Sequence, residues 1–392
     1  MSSKETILEY LQNQKNQASS PEVAEIWSNL LHLYTHKLWH QLTVLLQDFI
    51  PKMSSGRVEL YKKFITDFEH SLSALSLVQM ILHVLDELTD PLEALSLLKS
   101  VLDKVKLHPE AKGLCLSAIA VCYLTNNEVA ECKERLQEAE ILLENSDMEV
   151  GTVHAYYYKT SSEYYRYTGQ HALYYKAALR YLGCQTSIKH FDKDSPPEFI
   201  TTSIEADREH AFSLAIAAII AEGVYNFGEI LLHPILQTLK GDPDRVWVID
   251  LLRAFNRGDI KRFEESRQSW SDQTDLKSNE IILQRKLRLL SLMELTFQRQ
   301  ATQRTLPFSL ISEIAHVPVD EVEQLVMRAF SLGLVKGDID EVDKVVHLRW
   351  VQPRVLDLGQ VKSMSHNIKI WGQKIVTALD LLDNQVTQDL LV

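Results

Sequence analysis

Three histidines near the start of the chain have a spacing that could hold a metal ion. His32, His36 and His40 are four residues apart, so on one continuous helix their imidazoles would share a face. Zinc accepts such ligands, but catalytic zinc sites usually also contain an acidic partner, and no His-Glu-x-x-His pattern is present. The spacing therefore favours a polar helix face over a metal site, and we expect no metal ligand here.

Other patterns that carry chemistry are missing from the sequence as well. It contains no glycine-rich phosphate loop of either common type, and no histidine lies two positions from another, as a metalloprotease-type zinc site would require. The four cysteines include no Cys-x-x-Cys pair, which indicates small apolar core residues in a reducing compartment. We therefore expect no catalytic residue and no cofactor.

The composition indicates a helical, intracellular protein with an acidic surface. At 392 residues the chain is too long for one core, so two or three structural units are expected. Only 13 glycines and 11 prolines are present, which favours long helices and short turns. The net charge of −12 disfavours a broad nucleic-acid surface, and no apolar run approaches the ~20 residues of a membrane span.

About three quarters of the chain consists of amphipathic helical patterns separated by small polar turns. Turns marked by Asn126, Gly169, Phe227 and Arg257 lie 43, 58 and 30 residues apart, and the longest interval contains a predicted loop at 189–205. Helix-turn-helix units of such irregular length predict a right-handed α-solenoid of degenerate TPR-like hairpins.

The pattern changes near residue 305 to that of a small mixed domain. Ser309–Ala315 predicts a short helix, and a second helix is expected from 318 to about 330. Two strands follow, Leu334–Ile339 and Val345–Val351. Two helices followed by a β-hairpin are the arrangement of a winged helix.

The second predicted strand has the alternation of a half-buried strand. Its apolar residues Val346, Leu348 and Trp350 alternate with His347 and Arg349, so the two sets are expected on opposite faces of the sheet.

The charge of this winged helix argues against DNA binding. Between residues 306 and 353 there are eight acidic and four basic side chains. The helix that would enter a DNA groove begins with Asp320, Glu321 and Glu323, which would face phosphates. Assembly with other proteins is therefore favoured, and nucleic-acid binding is the weaker alternative.

The last segment predicts a long helix with a narrow apolar seam. The apolar residues repeat at alternating spacings of three and four, a pattern typical of helices that pack in a bundle with other helices. The seam consists of Val361, Met364, Ile368, Trp371, Ile375, Ala378 and Leu382.

Several runs of the sequence resemble a known family. These runs are His36–Thr43, Tyr174–Cys184, Glu222–Glu229 and 321–358, and the most specific is the wing Leu334–Lys344 with Trp350–Arg354 after it. They resemble the PCI-domain subunits of the proteasome regulatory particle lid, over nearly the whole chain except the first ~20 residues and the 189–205 loop.

The resemblance implies a mainly α protein in which the solenoid leads into a winged-helix PCI domain and a long C-terminal helix. The expected divisions are N-terminal repeats at 1–170, a PCI domain at 171–354 and a bundle helix at 355–392. Within the PCI domain, residues 171–305 would be helical and 306–354 would form the winged helix.

The resemblance also implies a structural lid subunit, without catalysis of its own, that acts in ubiquitin-dependent degradation in the cytoplasm and nucleus. Its partners would be other PCI subunits, MPN-domain subunits and, as a further candidate, a neighbouring ubiquitin receptor, with neither nucleic acid nor membrane. The COP9 signalosome and the translation initiation factor complex are alternative assemblies.

Two sets of interface residues are expected from the resemblance. The bundle helix would contribute the seam residues named above. The wing would contribute a sheet edge consisting of Val345, Val346, His347, Leu348, Arg349 and Trp350.

Overall fold

The computed structural model of the chain divides into two compact units, Met1–Ala206 and Asp207–Val392. The structure describes residues 3–17, 21–53, 55–88, 90–145, 151–191, 204–271, 273–299, 303–355 and 358–389. The divisions predicted after residues 170, 305 and 354 are boundaries of family domains, which differ in kind from the boundary between compact units. These divisions stay predictions.

The first unit consists of helices. In chain order these are α1 Ser3–Gln17, α2 Pro21–Thr35, α3 Trp39–Phe49, α4 Arg57–Leu60, α5 Thr66–Phe68, α6 Ala74–Leu85, α7 Pro91–Lys104, α8 Pro109–Thr125, α9 Val129–Asn145, α10 Thr152–Tyr167 and α11 His171–Phe191. A π-helical segment, Tyr61–Ile65, joins α4 to α5, and a 3-10 turn, Glu69–Ser71, follows α5.

Antiparallel helix pairs form where the sequence predicts them. The pair α8 and α9 turns at Asn127, and the pair α10 and α11 turns at Gly169; both residues have positive φ, of 63° and 71°. Asparagine and glycine adopt this left-handed conformation more readily than other residues, which explains why each helix ends there. Of the predicted loop at 189–205, residues 189–191 belong to α11 and residues 204–205 to the following helix, while 192–203 lie outside the described residues.

Helix α8 lies at the centre of the first unit's core. All side chains from Leu114 to Ala120 are buried, so this helix is covered on every side rather than along one stripe. The core continues without interruption from Ile7 in α1 to Tyr164 in α10. Neighbouring helical pairs therefore share one hydrophobic interior, as in a solenoid.

The second unit adds a small sheet to a helical layer. Its elements are α12 Ile204–Ile220, α13 Gly228–Leu232, a 3-10 helix Pro234–Gly241, α14 Trp247–Arg257, α15 Ile260–Glu265, α16 Arg267–Trp270, α17 Thr274–Ser278, α18 Glu280–Gln298, β1 Thr305–Pro307, α19 Phe308–Ala315, α20 Val319–Ser331, β2 Val335–Asp340, β3 Val345–Val351 and α21 Leu358–Asp389. The predicted fold class, helical hairpins followed by a winged helix and a long last helix, is confirmed.

The position of β3 in the sheet corrects one prediction. The strand order is β1-β3-β2 with antiparallel pairs on both sides of β3, so Val345–Val351 is the central strand and not the expected free edge. Strand β1 was missed by the sequence analysis, since it has three residues and one of them is Pro307. The edges of this sheet are β1 and β2.

A β-bulge corrects the expected facing of Trp350. Lys336 pairs with Trp350, but the next residue, Gly337, pairs with Leu348, so Arg349 has no direct partner. The extra residue breaks the period of two, and Trp350 is 38% exposed whereas Leu348 is buried. Gly337 is needed at this point, since a Cβ there would lie 2.1 Å from the carbonyl oxygen of His347.

Candidate protein-interaction surfaces

The last helix, α21, exposes its predicted apolar seam to solvent. The helix is 32 residues long, or about 48 Å, and its described side chains between Val361 and Leu382 are exposed apart from Gly372. Trp371, the largest seam residue, is 65% exposed. The large seam side chains therefore lie together along the helix without being covered by the fold of this chain.

A second apolar stripe, which the sequence analysis missed, widens this surface. Ile370 and Leu381 are exposed and lie eleven residues apart, close to three helical turns, so they share a face. At about 100° per residue this face is roughly 110° from the seam. Val376 and Leu379, also exposed, flank the seam on its other side. The apolar arc is wider than contact with a single helix requires. A helical-wheel count over all apolar residues, not only those at seam spacing, would have found it.

The segment between β3 and α21 is fixed to the helical layer of its own unit. Arg354 is nearly buried; its guanidinium forms an ion pair with Glu294 and donates to the carbonyl oxygen of Asn256 at 3.0 Å. The N–H of Val355 donates to Oδ1 of Asn226 at 3.3 Å. Since α21 begins at Leu358, the helix starts three residues beyond an anchored point.

Strand β3 places two of its six predicted interface residues inside the protein. Val346 and Leu348 are buried in the core of the winged helix, so they are corrected to core residues. His347, Arg349 and Trp350 are exposed. The Trp350 ring lies beneath the Lys336 ammonium at 4.9 Å, a cation–π contact that orients the exposed face of the indole.

The wing between β2 and β3 is a rigid acidic turn. Oδ1 of Asp340 accepts hydrogen bonds from the backbone N–H groups of Val342 and Asp343, at 3.0 and 3.1 Å. The first turn of α20 carries Asp320 and Glu321, both exposed. The groups that would meet DNA phosphates are thus negative, which supports the preference for a protein partner.

The structure does not place the three histidines on one helix, as the sequence analysis had assumed. Helix α2 ends at Thr35, Lys37 has a positive φ of 56°, and α3 begins at Trp39, so His40 belongs to a different helix from His32. The His32 and His36 rings are 4.4 Å apart between centroids. Among the described residues no group of three or more potential metal ligands comes together.

The cysteines lie in apolar surroundings. Burial raises the pKa of the Cys115 thiol to about 12 and those of Cys132 and Cys184 to about 11. These thiols stay protonated at neutral pH, which agrees with the prediction of core residues rather than nucleophiles. No helix in the described parts of the chain is both long enough and apolar enough to span a membrane.

Comparison with known families assigns most of the chain. A model of PSD13 N-terminal repeats matches residues 26–252, more than half of the chain, and a PCI domain model matches residues 260–350. The second match includes both helices of the winged helix and the β-sheet as far as Trp350. Neither match covers α21.

Similarity to individual proteins extends over nearly the whole length. The 26S proteasome non-ATPase regulatory subunit 13 homolog B of Arabidopsis thaliana is 34% identical over 95% of this chain and 96% of its own length. The probable 26S proteasome regulatory subunit rpn9 of Schizosaccharomyces pombe is 35% identical over 88% of this chain and 87% of its own. Eukaryotic translation initiation factor 3 subunit M of Dictyostelium discoideum is 25% identical over 54% of this chain and 52% of its own.

The resemblance found in the sequence is confirmed by these matches. The initiation-factor relative shares about half of the chain, whereas the proteasome relatives share almost all of it at higher identity. The chain belongs to the family of the 26S proteasome non-ATPase regulatory subunit 13.

Proposed function

We propose that this chain is a non-catalytic structural subunit of the lid of the proteasome regulatory particle. It acts in ubiquitin-dependent protein degradation, in the cytoplasm and nucleus, by holding neighbouring lid subunits together. Both proteasome relatives are named as regulatory subunits and the Arabidopsis one also as non-ATPase, which supports a role without chemistry of its own. Its partners are other PCI subunits and MPN-domain subunits, and a neighbouring ubiquitin receptor is a further candidate.

The exposed apolar surface of α21 carries this proposal. A soluble protein rarely leaves a long apolar arc uncovered, so the arc is expected to be covered by partner proteins. Because apolar residues occupy both the seam and a second face, the helix fits the interior of a bundle with at least two neighbours. The seam residues Val361, Met364, Ile368, Trp371, Ile375, Ala378 and Leu382 would make the closest contacts.

The winged helix would supply a second contact. Since β3 is central, its exposed side chains His347, Arg349 and Trp350, with the half-buried Val345, would meet a neighbour by side-chain contact. Pairing through the main chain would instead use the outer edge of β1 or β2. Trp350 is expected to contribute most of the binding free energy of this contact, because large partly exposed aromatic rings dominate many interfaces.

Truncation tests the proposal directly. Removing residues 357–392 deletes α21 but leaves the Arg354 anchor, so we expect a folded chain that no longer co-purifies with the regulatory particle. The matched control replaces two polar exposed residues of the same helix, Gln373→Ala and Thr377→Ala, and should enter the particle normally. Full incorporation of the truncated chain would refute the proposed role of α21.

The alternative assemblies are separated by mass spectrometry of the co-purified proteins. Proteasome subunits support the proposal, whereas signalosome or initiation-factor subunits would replace it with the corresponding scaffold role. Nucleic-acid binding is tested with a DNA duplex at ~150 mM salt, where an acidic winged helix is expected to show no binding.

A further inference from the structure

A cleft in the second compact unit has a charge opposite to that of the chain as a whole. It has a volume of about 520 Å³ and lies between the segment Leu231–Lys240 and helix α14, with one side chain from α15. Four basic side chains and one carboxylate line it, in a chain whose formal net charge is −12. The charged lining consists of Lys240, Arg253, Arg257, Arg262 and Asp250.

The basic side chains of the cleft are available to a ligand. Arg253 contacts Asp250 at 3.1 Å and Arg262 contacts Asp259 at 3.3 Å, but these are exposed pairs of a kind that contributes little and exchanges partners easily. In the described part of the chain, neither Lys240 nor Arg257 has a carboxylate within ion-pair distance, and both are exposed. Two of the four positive charges are therefore held only in exposed pairs, and the other two have no ion-pair partner among the described residues.

Helix stabilisation explains only part of this cluster. Arg257 lies in the last turn of α14, where a cation is favourable next to the negative end of the helix dipole. Arg262 belongs to a different helix and Lys240 to the 3-10 segment, so neither serves that end of α14. Lys240 and Arg262 lie in the last turns of their own helices, so the helix dipole favours each cation separately but does not explain why three helix ends direct their cations to one cleft.

The rest of the lining consists of four aliphatic side chains and three uncharged polar ones, His233, Gln237 and Asn256. Leu231, Leu236 and Ile249 contribute to it, and Leu232 is 60% exposed. A free inorganic anion would gain nothing from these side chains, and a nucleic acid would meet the repulsion of an acidic chain. A peptide segment that carries both carboxylates and an aliphatic side chain satisfies both parts of the lining.

We propose that this cleft binds an acidic segment, with at least one aliphatic side chain, of a neighbouring subunit in the assembled particle. The arginine guanidinium groups would pair with its carboxylates, and the leucines would cover its aliphatic residue. The inference rests on the proposed function, since it takes the partner to be another subunit of the same assembly.

Chemical modification of Lys240 can show whether the cleft is occupied. A carbodiimide joins a lysine amine to a carboxylate without a spacer, so in the intact particle it should link Lys240 to an aspartate or glutamate of another subunit. Lys240 should also react more slowly with an amine-acylating reagent in the particle than in the free chain. A Lys240 that is equally reactive in both, or that links only within its own chain, would overturn the proposal.

Reversing a charge next to Lys240 tests whether electrostatic attraction holds the segment in the cleft. Arg257→Glu should lower the yield of the Lys240 cross-link about five- to tenfold, because two units of charge change next to the bound carboxylates. The matched control, Lys261→Glu, reverses an exposed charge outside the cleft and should leave the yield unchanged. Arg253→Glu serves as a second variant if Arg257→Glu melts at a lower temperature than the parent.

The outcomes distinguish this inference from the proposed function. A chain that enters the particle but whose Lys240 cross-link is unaffected by Arg257→Glu refutes the cleft and leaves the scaffold role standing. A wild-type chain that does not co-purify with the particle refutes the scaffold role itself. If phosphatase treatment exposes Lys240 and no carboxylate link forms, the occupant is a phosphorylated segment and the proposal is wrong.

Discussion

Trp371 is expected to stabilise the assembly and not the free chain. Its side chain is 65% exposed, so Trp371→Ala removes little packing from the chain on its own. Alanine also has a higher helix propensity than tryptophan, so α21 should not be weakened. The thermal unfolding of the free variant should therefore match that of the parent chain.

The loss on assembly can be estimated from the area still exposed. A tryptophan side chain offers up to about 250 Å², of which roughly 160 Å² remains accessible at 65% exposure. At about 25 cal/mol per Å², covering that area contributes up to about 4 kcal/mol. Central aromatic residues of interfaces commonly cost at least about 2 kcal/mol when truncated. The expected weakening is therefore about 30-fold to 1,000-fold in affinity.

A competition assay measures this effect. Parent and Trp371→Ala chains with different tags are supplied in equal amounts, and their ratio in the purified particle is determined. The control is Leu107→Ala, since Leu107 is 90% exposed in the first compact unit and belongs to no predicted interface. A Trp371→Ala chain that competes as well as the control would show that Trp371 stays in solvent, and the bundle argument would fail.

Three further predictions concern the second compact unit. Arg354→Met leaves Glu294 buried without its cation and should lower the free energy of unfolding by about 3–5 kcal/mol. The double variant with Glu294→Gln should recover most of that stability, and urea unfolding of the parent and both variants measures the difference. Gly258→Ala should destabilise by more than 1 kcal/mol, because φ is +65° and a Cβ would lie 2.5 Å from Cα of Ser291; the same urea assay would contradict this if the midpoint is unchanged. Burial lowers the pKa of Lys286 to about 7, so above that pH the unfolded chain binds a proton that the native chain does not. The free energy of unfolding should therefore rise between pH 7 and about 8.5, by up to about 1.4 kcal/mol per pH unit. Lys286→Met should remove this contribution to the pH dependence.

Local sequence patterns predicted the elements well because local chemistry determines them. The ends of α8 and α10 follow from Asn127 and Gly169, which accept a positive φ just after each helix. Strand β3 was predicted with its observed bounds, and the two helices of the winged helix to within about one residue. These features need only neighbouring residues, so a sequence contains enough information to place them.

Features that depend on residues far apart in the chain were not predictable in this way. The neighbour of β3 on one side is β1, about 40 residues earlier and too short to show a period. The Arg354–Glu294 pair joins residues sixty positions apart, and the bulge at Arg349 depends on how β2 is aligned with its partner. A pattern within one segment does not reveal the segment that will lie beside it.

The sequence also leaves open which protein covers the apolar surface of α21. A seam with spacings of three and four indicates that other helices cover it, but the pattern is identical whether those helices belong to the same chain or to another. In the structure Trp371 and Leu381, on different faces of α21, are both exposed, so we expect the covering helices to belong to another chain. One neighbouring helix could cover the seam or the face that contains Leu381 but not both, because the two faces are roughly 110° apart around the axis. The helix therefore fits a position between at least two neighbours, which is why its removal should abolish entry into the particle rather than weaken a single contact.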